Sequence, residues 1–200
     1  QNRESLAALY IQGKLNNMQT HLMHRLKRKK DKLISTAILQ NQAILDKIEK
    51  SSPNLDTLRG YEGIASKNYF SAFPALISNP QFIFTGRNRR PPKDEVNALL
   101  SLGYTFLMNQ VMGATYISGL DPYYGALHDI AYGRQSLALD LMEEFRPLVD
   151  NLVINLINRR EIRPEHFAYN QIPDDETEEE DLDENTKMLP VSMQQEGMKI

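Results

Sequence analysis

The stretch Asp94-Glu95-Val96-Asn97-Ala98-Leu99-Leu100-Ser101-Leu102-Gly103-Tyr104-Thr105-Phe106-Leu107-Met108-Asn109-Gln110-Val111 decides the fold class. Val96, Leu99, Leu100, Gly103, Tyr104, Leu107 and Val111 recur at the three- and four-residue spacing that lines one face of an α-helix. Asp94 suits the N-cap that starts it, and the small residues Gly103, Gly113 and Ala114 predict burial of this helix against others. Nowhere in the 200 residues is there a sustained period-2 alternation of β-branched residues bounded by turns. The body is therefore expected to be all-α.

Immediately upstream, Asn79 to Lys93 carries Pro80, Gly86, Pro91 and Pro92 among Arg87, Arg89, Arg90 and Lys93, which reads as a basic loop. Before that loop, Asn54 is placed to cap a helix over residues 55–77, just after a boundary at Ser51-Ser52-Pro53. A first helical stretch over residues 5–50, with an expected break near Ser35-Thr36, contains the basic run from Arg25 to Lys32. Such a run is either a solvated helix face or a surface that tracks phosphates.

Downstream, Gly119-Leu120-Asp121-Pro122 is a stop-and-restart signal, with Asp121 as N-cap and Pro122 in the first turn. That reading puts His128 late in a short helix. A last helix spans residues 136–159, where Pro147 is expected to kink or divide it. The segment 173–187 is acidic and nearly free of aromatic residues, so it is expected to be mobile. The expected organisation is a helical body over 1–172, the acidic segment 173–187, and a truncated C-terminal segment 188–200.

A hydrophobic content of 41% is enough for a sizeable core. No stretch reaches the roughly 18 to 20 apolar residues of a membrane span, and Gln1-Asn2-Arg3-Glu4 lacks a signal-peptide core. A soluble, cytoplasmic protein is expected, with no membrane partner. Zero cysteine excludes disulfides and thiolate chemistry, leaving carboxylates, imidazole and carbonyls to hold any metal. The net charge of -3 hides an asymmetry, because nine acids and no base lie between Asp174 and Glu184. Residues 1–172 hold 21 Lys and Arg against 16 Asp and Glu, a net of +5 that favours a polyanionic partner. The absence of Met at position 1 leads to the expectation of a piece of a longer polypeptide.

Three places can carry chemistry. Glu62 lies in Arg59-Gly60-Tyr61-Glu62-Gly63-Ile64-Ala65, where each glycine costs a helix about 1 kcal/mol relative to alanine. Close approach of a ligand or DNA backbone explains them, and so does close helix packing around an ordinary glutamate. His128, in Tyr123-Tyr124-Gly125-Ala126-Leu127-His128-Asp129, could bind a divalent cation or be oriented by a carboxylate. Read alone it is an ordinary surface or core histidine, as are His21, His24 and His166. Asp140, Glu143 and Glu144 share a helix surface at i, i+3 and i+4, where their charges repel unless Arg134, Arg146 or a bound cation compensates. Two carboxylates and one imidazole suit Mg²⁺ or Mn²⁺, the hard cations of phosphodiester chemistry. Tyr123, Tyr124 and Tyr132 are expected in the core rather than stacked on an unpaired base.

Taken in order, four blocks resemble the CRISPR-associated adaptation integrase and endonuclease family, the first of the numbered Cas proteins. They are Gly60-Tyr61-Glu62-Gly63-Ile64-Ala65 with Tyr69-Phe70, the run from Arg89 to Ser101, Gly119-Leu120-Asp121-Pro122 with Gly125 and Leu127-His128, and Ser136 to Glu143 with Phe145-Arg146-Pro147. The resemblance implies the helical C-terminal catalytic domain of that family, with Glu62, His128 and Glu143 as metal ligands and Asp140 as a supporting catalytic acid. It implies insertion of short foreign DNA segments into a CRISPR array by 3′-hydroxyl attack on a phosphodiester. It also implies metal-dependent cleavage of DNA with water as nucleophile. Expected partners are double-stranded DNA, the small dimeric CRISPR adaptation protein, and a second copy in the intact protein. Arg59, Lys67, Arg87, Arg89, Arg90, Lys93, Arg134 and Arg146 are the expected DNA contacts.

The sequence departs from the family in lacking its N-terminal β domain, in its long acidic segment, and in stopping at Ile200 soon after a closing segment that begins Leu189-Pro190-Val191. Some members are fused to a reverse transcriptase, and the chain is compatible with such an origin. A transposon integrase of the same superfamily, and a helical nucleic-acid-binding module without catalysis, are the alternatives.

Overall fold

The computed structural model describes residues 3–28, 30–169, 191–194 and 197. Among them run α1 (Arg3–Arg28), α2 (Lys32–Ser51), α3 (Leu55–Ser71), α4 (Phe73–Leu76), α5 (Glu95–Ile117) and α6 (Ser136–Asn158). A 3-10 turn at Pro164–His166 leads into β1 (Phe167–Tyr169), which pairs antiparallel with β2 (Val191–Met193). The body is helical as expected, and its two strands are three residues each. The acidic segment 173–187 lies outside the described residues, as does most of 188–200.

Local chemistry explains where the boundaries fall. The break in the first stretch comes at Asp31 rather than Ser35-Thr36, because Asp31 takes an extended backbone and its carboxylate accepts the Leu33 N–H. Asn54 and Asp94 cap α3 and α5 as expected, accepting the N–H groups of Thr57 and Asn97. The second helix stops at Ser71 instead of reaching Ile77, since Pro74 has no N–H to continue it and opens the single turn of α4. Pro147 lies buried inside an unbroken α6, so it does not divide that helix.

Long helices α1 and α6 pack on each other, with α2 and α3 on one side and α5 on the other. Three apolar clusters among the described residues hold them. One gathers Leu22, Tyr69, Phe73, Phe84, Leu100 and Ile154; another gathers Ile11, Leu15, Ile44, Leu58 and Leu127; a small third joins Val111 to Ala138 and Met142. Each such side chain removed from water stabilises by about 1.5 to 3 kcal/mol. The expectation of burial holds along one face of α5, from Val96 to Val111 and Thr115, but not at its small residues near the end. Gly103 sits against Val149, but Gly113 and Ala114 face solvent, as do Phe106, Tyr116 and Ile117.

Candidate active site

Glu62 on α3 and Glu143 on α6 meet at the side of α1, where Lys14 stands between them. The Lys14 ammonium donates to Oε1 of Glu62 and, at 2.6 Å, to Oε2 of Glu143. Lys14 is only 3% exposed, so both hydrogen bonds are shielded from water. Ser66, one turn along α3, donates to the same Glu62 oxygen at 2.8 Å. Arg146, one turn along α6, donates from Nε to Oε1 of Glu143 at 2.9 Å. Burial works to raise the pKa of Glu143, but Lys14 and Arg146 outweigh it and hold the carboxyl down to about 2. Burial likewise opposes the charge on Arg146, and Glu143 overcomes it.

His128 reaches the site from the connection between α5 and α6, which is not the short helix expected from Asp121-Pro122. Residues 118–135 form turns and bends, because the N–H groups of Ala126, Leu127 and His128 go to Asp140 and not to carbonyls of a preceding helical turn. Asp121 turns the chain by accepting the Tyr123 N–H, and the Pro122 carbonyl accepts the N–H of Leu137 at the start of α6. Gly125 then lies so close to α6 that a Cβ would stand 2.7 Å from the Ser136 backbone.

Asp140 fixes that connection from beneath. Its fully buried carboxylate accepts the N–H groups of Ala126, Leu127 and His128 at 2.6, 2.9 and 2.9 Å. It also bonds Nδ1 of His128 at 2.7 Å, which leaves Nε2 as the imidazole nitrogen open to another partner. From above, Arg59 donates to the Leu127 carbonyl at 2.8 and 3.0 Å, and Arg3 donates to the Ala126 carbonyl at 2.8 Å. Both arginines pair with Asp129, and their hydrogen bonds pull its carboxyl down to about 2.

The donor set suits a hard cation in chemistry but is not closed around one. Among the described residues no three His, Asp or Glu side chains are grouped tightly enough to enclose an ion. What the structure shows instead is two carboxylates sharing one ammonium, and an imidazole held in place by Asp140. Glu62, Glu143 and His128 are of the ligand types that Mg²⁺ or Mn²⁺ takes, and the two glutamates already accommodate a cation between them.

The arginines expected at DNA divide into two groups. Arg89, Arg90, Lys93 and Lys67 are exposed. Arg59, Arg134 and Arg146 are engaged internally, with Asp129 and Leu127, with the Asp129 carbonyl, and with Glu143. Arg87 turns inward to Asn97 and Ser101 and lies 5.5 Å from the centre of the Tyr104 ring. Tyr123, Tyr124 and Tyr132 are exposed rather than in the core. Gly60 and Gly63, on either side of Glu62, have nothing within 4 Å of a Cβ, which removes close helix packing as their explanation.

Lys14, Ser66 and Asp150 are not among the residues expected at the site, and Tyr104 is expected only on the apolar face of α5. Tyr104 donates to the fully buried Asp150, and the Arg146 guanidinium lies 4.6 Å above its ring, so the pair underlies the arginine that holds Glu143. The signal for Lys14 was available. It falls on the stripe Ala7, Ile11, Leu15, Met18, where a lysine needs a buried partner.

The family model of CRISPR associated protein Cas1 matches residues 1–175. The CRISPR-associated endonuclease Cas1 of Leptospira interrogans is 41% identical over 171 residues, covering 82% of this chain and 67% of the relative. The solved Cas1 protein TM1797 of Thermotoga maritima superposes with a TM-score of 0.78 at 30% identity, over 98% of this chain and 55% of that one. A chain of a partial Cas6-RT-Cas1–Cas2 complex gives 0.79 at 26% identity, over 99% and 56%. The chain thus spans between about half and two thirds of the length of these three proteins.

Proposed function

This chain belongs to the Cas1 family, and we propose that it is the catalytic body of a metal-dependent DNA integrase and endonuclease. The reaction is attack of a DNA 3′-hydroxyl on a phosphodiester, which inserts a short foreign segment into a CRISPR array; with water as nucleophile the same site cleaves DNA. One observation carries the reading: Glu62 and Glu143, from different helices, meet on a single cation, and Asp140, one turn before Glu143 on α6, orients the His128 imidazole.

Glu62, Glu143 and Nε2 of His128 are the groups that would hold Mg²⁺ or Mn²⁺. Such an ion, when bound, makes the attacking hydroxyl more acidic and takes up charge on the leaving oxygen. The chain's own residues set the stage for it. Asp140 fixes the imidazole tautomer by binding Nδ1, so that Nε2 is presented with its lone pair. Arg146 keeps Glu143 ionised and in place. Open space over Gly60 and Gly63 lets a DNA backbone pass beside Glu62, and exposed Lys67, Arg89, Arg90 and Lys93 supply phosphate contacts. The likeness to a chain of a Cas6-RT-Cas1–Cas2 complex favours work with a Cas2 partner, the small dimeric adaptation protein.

Mn²⁺-dependent cleavage of double-stranded DNA tests the reading. Glu62→Gln, His128→Ala and Glu143→Gln should each lower the rate by roughly 100-fold or more while the helical circular dichroism is retained. Undiminished cleavage by any one variant removes that residue from the ligand set.

A further inference from the structure

The position of Lys14 has a consequence for the site. We infer that Lys14 is a tethered competitor for the metal position: its ammonium holds Glu62 and Glu143 together before the ion arrives and must leave when it does. The inference rests on the metal-site reading above, in which Lys14 is not a ligand.

Two arguments carry it. The first is spatial. Lys14 Nζ is hydrogen-bonded to one oxygen of each carboxylate, and so occupies the space that an ion held by both glutamates would need. Two cations cannot share that space. The second is charge balance. Glu62 and Glu143 carry two negative charges, and Lys14 with Arg146 supplies two positive ones through direct ion pairs. This set is neutral, and its Glu143 side chain is 7% exposed. A divalent ion entering beside a retained Lys14 would leave two uncompensated positive charges in a place that water screens poorly. Departure of the lysine halves that excess. Arg146 is less able to leave, because its guanidinium also stacks on Tyr104.

Lys14 therefore does two opposed things. It holds the two acceptors together in the absence of metal, and it weakens metal binding by the free energy of the hydrogen bonds that must break. The affinity for metal is set inside the protein, by a residue on a helix that contributes no ligand.

The test measures Mn²⁺ binding to the full chain without DNA, by electron paramagnetic resonance of the free ion, for the unaltered protein, Lys14→Met and Glu62→Gln. Lys14→Met keeps the apolar stem and removes the charge; it should bind Mn²⁺ roughly tenfold tighter or more, while Glu62→Gln loses binding. Equal or weaker binding by Lys14→Met overturns the inference but leaves the metal site standing. No binding by the unaltered protein or by Lys14→Met overturns the site reading and the inference with it. A second measurement needs no variant: acetylation of Lys14, followed by mass spectrometry, should be slow without metal and rise saturably with Mn²⁺. A Lys14 that stays protected at saturating Mn²⁺ overturns the displacement even if the Lys14→Met chain does not fold.

Discussion

Asp140 and His128 are joined twice: one carboxylate oxygen accepts both the backbone N–H of His128 and its ring Nδ1, at 2.9 and 2.7 Å. The other oxygen takes the N–H groups of Ala126 and Leu127. A single buried side chain thus sets the position of a loop and the tautomer of the imidazole it carries.

Asp140→Asn preserves the shape of that side chain and breaks its logic. Whichever way the amide is turned, its NH₂ faces two donors, so a buried pair is left unsatisfied. Chemical denaturation should show a loss of about 3 kcal/mol, and DNA cleavage should fall toward the His128→Ala level. A variant of native stability and rate would mean that the four hydrogen bonds do not constrain the loop.

Arg89, Arg90 and Lys93 are exposed, whereas Arg87 is turned toward Asn97, Ser101 and Tyr104. Alanine at each exposed position should lower the slope of log affinity against log salt for double-stranded DNA by about one unit. Arg87→Ala should act mainly on stability. A slope unchanged in all three variants would assign the loop to solvent.

Gly60→Ala and Gly63→Ala separate stability from binding. Each adds a methyl group into open space on a helix, which should stabilise by up to about 1 kcal/mol. If a DNA backbone uses that space, affinity for DNA should fall as the melting temperature rises. Unaltered affinity would show that nothing approaches Glu62 from that side.

Asp150 gives the fold a pH dependence of defined sign. Burial raises its pKa from 3.8 to about 6, so the folded state binds this proton more tightly than the unfolded chain does. Its contribution is complete below about pH 4 and is lost as pH rises through 6. Glu143 runs the other way, from an ordinary 4.5 to about 2, with stability present above pH 4.5 and lost on acidification. Between pH 4 and 6, the unaltered protein should therefore lose on the order of 2 kcal/mol relative to Asp150→Asn. Parallel stability curves would rule the shift out.

Much of the scaffold was legible in the sequence, because caps and helical periodicity are local. Asn54, Asp94 and the apolar run of α5 announced their helices without reference to the rest of the chain. The connection that carries His128 was misread for the opposite reason. Asp121-Pro122 has the local form of a helix start, but Asp140, fourteen residues beyond Ala126, takes the backbone N–H groups a helix would have used. The chemistry at Glu143 was ambiguous for a similar reason. Asp140 and Glu143 are equivalent as residues on a helix surface; they differ in what other elements bring to them, a loop to one and Lys14 and Arg146 to the other. Tyr123, Tyr124 and Tyr132 were placed in the core on residue type alone, and only the path of the loop exposes them.

The short strand β2 reaches beyond its partner β1. Its Val191 N–H donates to the Pro92 carbonyl at 2.9 Å, one residue before Lys93 and two after Arg90. The base of the basic loop is thereby tethered by a residue nearly a hundred positions away, across the acidic stretch in between. The loop that presents Arg89, Arg90 and Lys93 is thus held at its base by a segment that follows the whole helical body in sequence.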